Sequence, residues 1–213
     1  MSETVLYDYW RSSASYRVRI ALNMLGQPYE SRSIDLPTKA NRSPEHLARN
    51  PQGLVPAIEI DGMMLTQSLA IIEYLNETRP GAALLPADPV GRTRVRALAY
   101  AVAMEIHPVC NMSVAAHVVE LAGGGDATRK GWMQHFIRKG LAAFETMLDN
   151  PATGRFCHGD TPTMADICLV PQVYNAHRWE ADISDLRRIA AIVEACSAID
   201  AFARAHPDCV RPA

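Results

Sequence analysis

Trp10-Arg11-Ser12-Ser13-Ala14-Ser15-Tyr16-Arg17-Val18-Arg19-Ile20-Ala21-Leu22 carries a cluster of hydroxyls straight into a helical pattern. Upstream, Val5, Leu6 and Tyr7 read as a short strand; downstream, Ala14, Val18, Ala21, Leu22 and Leu25 recur at helical spacing. The serines therefore fall where a strand turns into a helix. Backbone N–H groups without partners and the helix dipole make that point favourable for negative charge. One serine there is an ordinary helix cap. Ser12, Ser13 and Ser15 together, with Arg11 beside them, point to a site for an anion such as a thiolate.

Working outward, strands are expected near 4–7, 29–34, 56–60 and 63–65, and helices near 14–25, 43–49 and 68–78. The order βαβαββα is that of a thioredoxin-like domain over residues 1–80. Residues 80–89, opening with Pro80-Gly81 and holding Pro86, read as a linker. Beyond it the strand signals vanish, and 90–213 reads as an all-α domain. A long helical stretch over 90–121 is expected to bend at His107-Pro108, because proline removes a backbone donor. Gly123-Gly124-Gly125 ends it, and a second helix follows over about 128–148. After a loop over 150–162, Thr163-x-x-Asp166 has the spacing of a capping box. Pro171 is expected to kink the helix that follows, and helices near 186–196 and 198–205 complete the domain.

Composition narrows the functional classes. An apolar fraction of 48% is ample for a buried core. The net charge of −2 gives no strong pull toward nucleic acid or an anionic membrane. No run is long and apolar enough to span a bilayer, and the first ten residues lack the pattern of a secretory signal. Cys110, Cys157, Cys168, Cys196 and Cys209 are odd in number and form no C-x-x-C, which suits free thiols in a reducing cytoplasm. The histidines have no metal-ligand spacing, and the triple glycine lacks the Lys-Ser/Thr of a phosphate loop.

Two further segments give the opening stretch its context. Asn50-Pro51-Gln52-Gly53-Leu54-Val55-Pro56-Ala57-Ile58 leads to a hairpin turn at Asp61-Gly62, and Leu65-Thr66-Gln67-Ser68-Leu69-Ala70-Ile71-Ile72-Glu73-Tyr74-Leu75 opens another helix. With Arg11-Ser12-Ser13-x-Ser15-x-Arg17-Val18-Arg19, these resemble the zeta class of glutathione transferases, the maleylacetoacetate isomerase family. Gly159-Asp160, Thr163-Met164-Ala165-Asp166 and Leu169-Val170-Pro171-Gln172-Val173 extend the likeness over nearly the whole chain. The resemblance implies the glutathione transferase fold, a thioredoxin-like α/β domain followed by an all-α domain, a homodimer, and glutathione as the cofactor.

It also implies a residue set. A free thiol is mostly protonated at neutral pH, and the thiolate is the nucleophile. Ser12 or Ser13 would donate a hydrogen bond to it, with the amides of Ala14 and Ser15 at the helix end. One such bond is worth about 1.5–3 kcal/mol, or roughly one to two pKa units. Gln67 and Ser68 would take the γ-glutamyl carboxylate at the next helix start. The Val55-Pro56 bond is cis in the resembling family, where the Val55 backbone pairs with the tripeptide like an added strand. His107 and Asn111, one helical turn apart, match family positions contacting glutathione, as do Met112 and Ser113. Asn41 and Arg17 complete the expected glutathione set.

The family substrate is a small dicarboxylate with a cis double bond conjugated to a ketone. Isomerisation proceeds by thiolate addition, rotation about the single bond formed, and elimination, so that maleylacetoacetate becomes fumarylacetoacetate in tyrosine breakdown. Arg11 and Arg178 are the expected cations for its carboxylates and for the enolate. Arg17 and Arg19 fall off the apolar face of their helix, which suits salt bridges or a dimer contact. One departure stands out: the family usually has Ser-Ser-Cys-Ser at the turn, and here Ala14 replaces the cysteine. That puts thioltransferase side reactions in doubt but leaves the isomerase route intact. A related bacterial group acting on maleylpyruvate carries an additional arginine after the His-Pro pair, whereas Val109-Cys110-Asn111-Met112-Ser113 has none, although Gly91-Arg92-x-Arg94-Val95-Arg96 is similar to that group. Maleylpyruvate isomerisation and a broad transferase that conjugates or dehalogenates small electrophiles are the alternative activities.

Overall fold

In the computed structural model, which describes residues 4–212, β1 (Val5–Asp8) is buried along its whole length. It lies inside a four-stranded sheet of order β2-β1-β3-β4, with β2 spanning Glu30–Ser33, β3 Ala57–Ile60 and β4 Met63–Thr66. β1 and β2 run parallel and are joined through helix α1 (Ser13–Met24); β3 is antiparallel to both β1 and β4. Asp61 and Gly62, at φ 52° and 77°, connect Ile60 to Met63 as the two-residue turn that right-twisted hairpins favour. Helices α2 (Pro44–Arg49) and α3 (Ser68–Thr78) complete the expected βαβαββα order. Leu6, Ile20, Leu22, Ile58, Ile60, Ile71 and Leu75 form the core of this unit.

α1 is buried on every side from Ser13 to Leu22, although its sequence includes two arginines. Arg19 has no exposed surface and donates to Asp8 Oδ2 at 2.6 Å, to the Trp10 carbonyl at 2.9 Å and to the Ala205 carbonyl at 3.1 Å. The salt bridge expected for Arg19 is present, but in the interior rather than on a surface. The last of its partners explains a difference from the sequence boundaries. The chain divides into one compact unit that runs up to Leu84 and resumes at Ala198, and a second comprising Leu85–Ser197. Residues from Ala198 onward thus group with the sheet and not with the helices they follow, because α10 (Asp200–Ala205) packs on α1 and Asn23 donates to the Ala201 carbonyl.

The second unit is all-helical: α4 (Pro89–Tyr100), α5 (His107–Val109), α6 (Met112–Leu121), α7 (Asp126–Met147), α8 (Met164–Arg178) and α9 (Arg187–Ser197). The expected bend at Pro108 lies elsewhere. A π-helical turn over Ala101–Ile106 precedes it, Pro108 sits in the first turn of α5 where no N–H is required, and the chain leaves the helix at Cys110–Asn111. The capping box forms as expected: Asp166 accepts from the Thr163 amide at 2.8 Å and from its hydroxyl at 3.0 Å, and also from the Cys157 amide at 2.8 Å. α8 continues through Pro171 to Arg178. Among the described residues no helix is long and apolar enough to cross a membrane, and no group of His, Cys, Asp and Glu is placed to hold a metal ion.

Removing one member of a buried ion pair leaves the other uncompensated at a cost of about 3–5 kcal/mol. Asp8→Ala is therefore expected to lower unfolding free energy by about that amount in urea titrations, and Asp8→Leu combined with Arg19→Met to recover most of it.

Candidate functional site

The turn out of β1 is built by Ser12. Its N–H donates to the Tyr9 carbonyl at 2.8 Å, and its Oγ accepts from the Ser15 amide at 3.2 Å, capping α1. With that oxygen accepting, the half-buried Ser12 hydroxyl keeps its own hydrogen as a donor. Ala14 N–H takes no partner among the described residues, as the first turn of a helix requires. Ser15 corrects the sequence reading. Its side chain has no exposed surface and its amide is spent on Ser12, so it acts as a capping partner and not as a contact for a ligand. Ser13 is the first helical residue and is itself buried.

Beside the turn, the Arg11 guanidinium lies 4.6 Å from the centre of the Trp10 ring and donates to the Tyr9 hydroxyl at 3.1 Å. Arg17, on α1, is 1% exposed and donates to Ser68 Oγ at 3.2 Å. It therefore supports Ser68 from within the protein. This replaces its expected place on the glutathione-facing surface.

Ser68 opens α3. Gln67 precedes it at φ 68°, a conformation costing about 1–3 kcal/mol in a residue with a side chain. A 2.7 Å hydrogen bond from Gln67 Nε2 to Gln52 Oε1 holds it there. No side chain caps α3. Its first amides, the Ser68 hydroxyl and the buried Arg17 charge together make a start of helix suited to a carboxylate.

Between these two helix ends runs the 50–56 bend. The Val55-Pro56 bond is cis, as the resemblance implied. Neither the N–H nor the C=O of Val55 has a hydrogen-bond partner among the described residues, so an extended peptide can pair with it. The preceding loop is held from three sides. Asn41 Nδ2 donates to the Gly53 carbonyl at 2.6 Å; His46 Nε2 and Asn50 Nδ2 each meet the Leu54 carbonyl at 2.9 Å. Gly53 has φ 62°, and a Cβ there would lie 2.7 Å from Arg42 Nη1, so the turn requires glycine. Asn41 thus serves the loop through its amide nitrogen. Because a carbonyl only accepts, His46 carries its proton on Nε2. His46, Asn50 and Gln52 are not among the sequence candidates; Asn50 and Gln52 lie in the 50–58 segment that carries the family resemblance, and nothing in the sequence singles out His46.

In the helical unit, the shared-face argument for His107 and Asn111 does not hold. The helix breaks between them, and Asn111 is extended, at φ −65° and ψ 140°. Its Oδ1 accepts from the Ser113 amide at 3.0 Å and the Ser113 hydroxyl at 2.9 Å, capping α6. Met112 is exposed on the first turn of α6. Arg178, also exposed, ends α8 and donates to Asn175 Oδ1 at 3.4 Å.

Comparison with known proteins shows the family and the fold. Residues 2–77 match the glutathione S-transferase N-terminal domain and residues 126–205 the glutathione S-transferase C-terminal domain. The chain is 68% identical over 211 residues to the maleylacetoacetate isomerase of Rhizobium meliloti (strain 1021), covering 99% of each. Among solved structures it is similar to the holo form of a maleyl pyruvate isomerase described as a bacterial zeta-class glutathione S-transferase, at TM-score 0.95 and 43% identity, covering 98% of this chain and 99% of that one. It is likewise similar to a maleylacetoacetate isomerase from Methylobacterium extorquens AM1 with bound malonate and GSH, at TM-score 0.94 and 41% identity, covering 98% and 100%.

The converging donors on Leu54 carry a prediction. His46→Leu removes one of two and is expected to weaken glutathione binding by roughly fivefold, equivalent to about 1 kcal/mol, with the far-ultraviolet circular dichroism unchanged. Isothermal calorimetry of wild type and variant measures it.

Proposed function

The chain belongs to the glutathione S-transferase family, in its zeta class, and from that premise we propose that it isomerises maleylacetoacetate to fumarylacetoacetate with glutathione as cofactor. The observation that carries this reading is the Ser12 turn: a hydroxyl whose oxygen is already engaged by the Ser15 amide, with its proton left to donate beside an uncapped Ala14 N–H.

The residues present fit glutathione. The α3 start over Arg17 suits its γ-glutamyl carboxylate, the Val55 backbone its peptide, and the Ser12 turn its sulfur. When bound, glutathione supplies a thiolate that adds to the cis double bond and leaves again after rotation. Ser12 lowers the pKa of that thiol by donating to its charged form. Arg11, fixed on Trp10, stabilises charge developing on the substrate, and Arg178 takes a substrate carboxylate. His107, Asn111, Met112 and Ser113 complete the glutathione contacts by resemblance to the family. Three of the chain's own thiols are poor rivals: burial pushes Cys110 up to about 11 and holds Cys157 and Cys196 above the ordinary thiol range. Ala14 stands where the family has a cysteine. The sulfur of the reaction is therefore the cofactor's.

Maleylacetoacetate is favoured over maleylpyruvate by the higher identity to the Rhizobium isomerase and by the absence of arginine in 109–113. A homodimer accompanies the reading. The β2 edge of the sheet carries the Glu30–Arg32 ion pair, which guards it, whereas the β4 edge exposes Met63 and Met64. Light scattering is expected to give twice the chain mass, falling to the single mass in Met63→Lys/Met64→Glu. Cysteines that form no disulfide suit the cytoplasm.

Purified protein is expected to convert maleylacetoacetate faster than maleylpyruvate, and neither without glutathione. Ser12→Ala removes a donor to the thiolate, so the thiol pKa rises and the active fraction at neutral pH falls. The acid limb of the kcat/KM profile should move up by about one to two pH units, with activity recovering in alkali. Ser13→Ala should leave the limb in place; the reverse outcome would assign the donor to Ser13.

A further inference from the structure

Arg211 follows α10 and its 3-10 turn, and its guanidinium carbon lies 5.1 Å from the centre of the Trp10 ring. Arg11 lies 4.6 Å from the centre of the same ring. Two like charges on one indole repel unless something negative shares the space. Among the described residues neither arginine has a carboxylate partner. The nearest acidic side chain in sequence, Asp208, faces His206 Nδ1 at 3.6 Å. Arg11 Nε is shielded from solvent and has no hydrogen-bond partner. The platform itself is anchored, since the Trp10 carbonyl accepts from the buried Arg19.

We propose that Arg211 and Arg11, gathered on Trp10, form a carboxylate-recognition site beside the Ser12 turn, and that Arg211 sets the preference for doubly charged substrates. The inference rests on the isomerase reading for the identity of the substrate. It adds a residue that lies almost two hundred positions from the turn it serves. Two forked cations held against one indole offer paired donors to the carboxylates of a dianion. Arg211 is exposed and Arg11 half-buried, so a diffusing dianion can reach both.

The test uses Arg211→Ala and Arg211→Lys in the full chain with glutathione present. The expected result for Arg211→Ala is a rise of about tenfold in KM for maleylacetoacetate with kcat changed less than twofold, and partial rescue by lysine. Glutathione affinity by calorimetry should stay within twofold. Malonate is the second probe. Its dissociation constant, read by calorimetry on the glutathione complex, should rise in parallel in Arg211→Ala. Equal malonate binding by wild type and Arg211→Ala overturns the proposal, as does an equal loss of glutathione and malonate affinity. The malonate arm decides Arg211 even if the wild type isomerises nothing, an outcome that would instead sink the reading of the activity.

Discussion

The buried cation of Arg19 organises the turn that leads from β1 into α1. Arg19 has no water to solvate it, so its donors must all be met inside the protein. They are met by Asp8 at the end of β1, by the Trp10 carbonyl in the turn, and by the Ala205 carbonyl of α10. Those three groups come from the strand, the loop and the last helix of one unit. Their convergence leaves the chain between Asp8 and Ser13 little freedom. That segment is the one on which Trp10, Arg11 and Ser12 stand, so a structural ion pair sets the geometry in which a thiol would be ionised.

The same helix links the two anion-favouring points of the unit. Its first turn is capped by Ser12, and from its interior Arg17 reaches Ser68 at the start of α3. Between them the cis bond at Val55-Pro56 presents an unpaired stretch of backbone. Under the proposed function these three places would meet the thiol, the peptide and one carboxylate of glutathione. The helical unit spends its polar residues differently. Asn111, Thr163 and Asp166 close helix ends, and Arg94 ties the 153–158 loop by bonds to the Cys157 carbonyl at 2.6 Å and Thr153 Oγ at 2.7 Å. Arg178 at the end of α8 and Met112 in the first turn of α6 are exposed.

Local signals made much of this legible. Strands and helices of the sheet unit fall where alternation and helical spacing put them, and the capping box and the Asp61-Gly62 turn formed from short-range rules. The misreadings share one cause, which is that periodicity describes a helix but not what surrounds it. Arg17 and Arg19 lie off the apolar face of α1, yet both are buried because α3 and α10 cover that face. His107 and Asn111 have the right spacing, yet a break intervenes that was assigned to Pro108. Ser15 belongs to the hydroxyl cluster in sequence and to the interior in space.

What the amino-acid order determined by itself was the sequence of elements and the identity of the hydroxyl turn, because both follow from interactions within a few residues. What only the tertiary structure decided was which of the clustered groups face outward. That depends on contacts such as Arg19 with Ala205 and Trp10 with Arg211, whose partners lie far apart along the chain and meet only when α10 returns to the sheet.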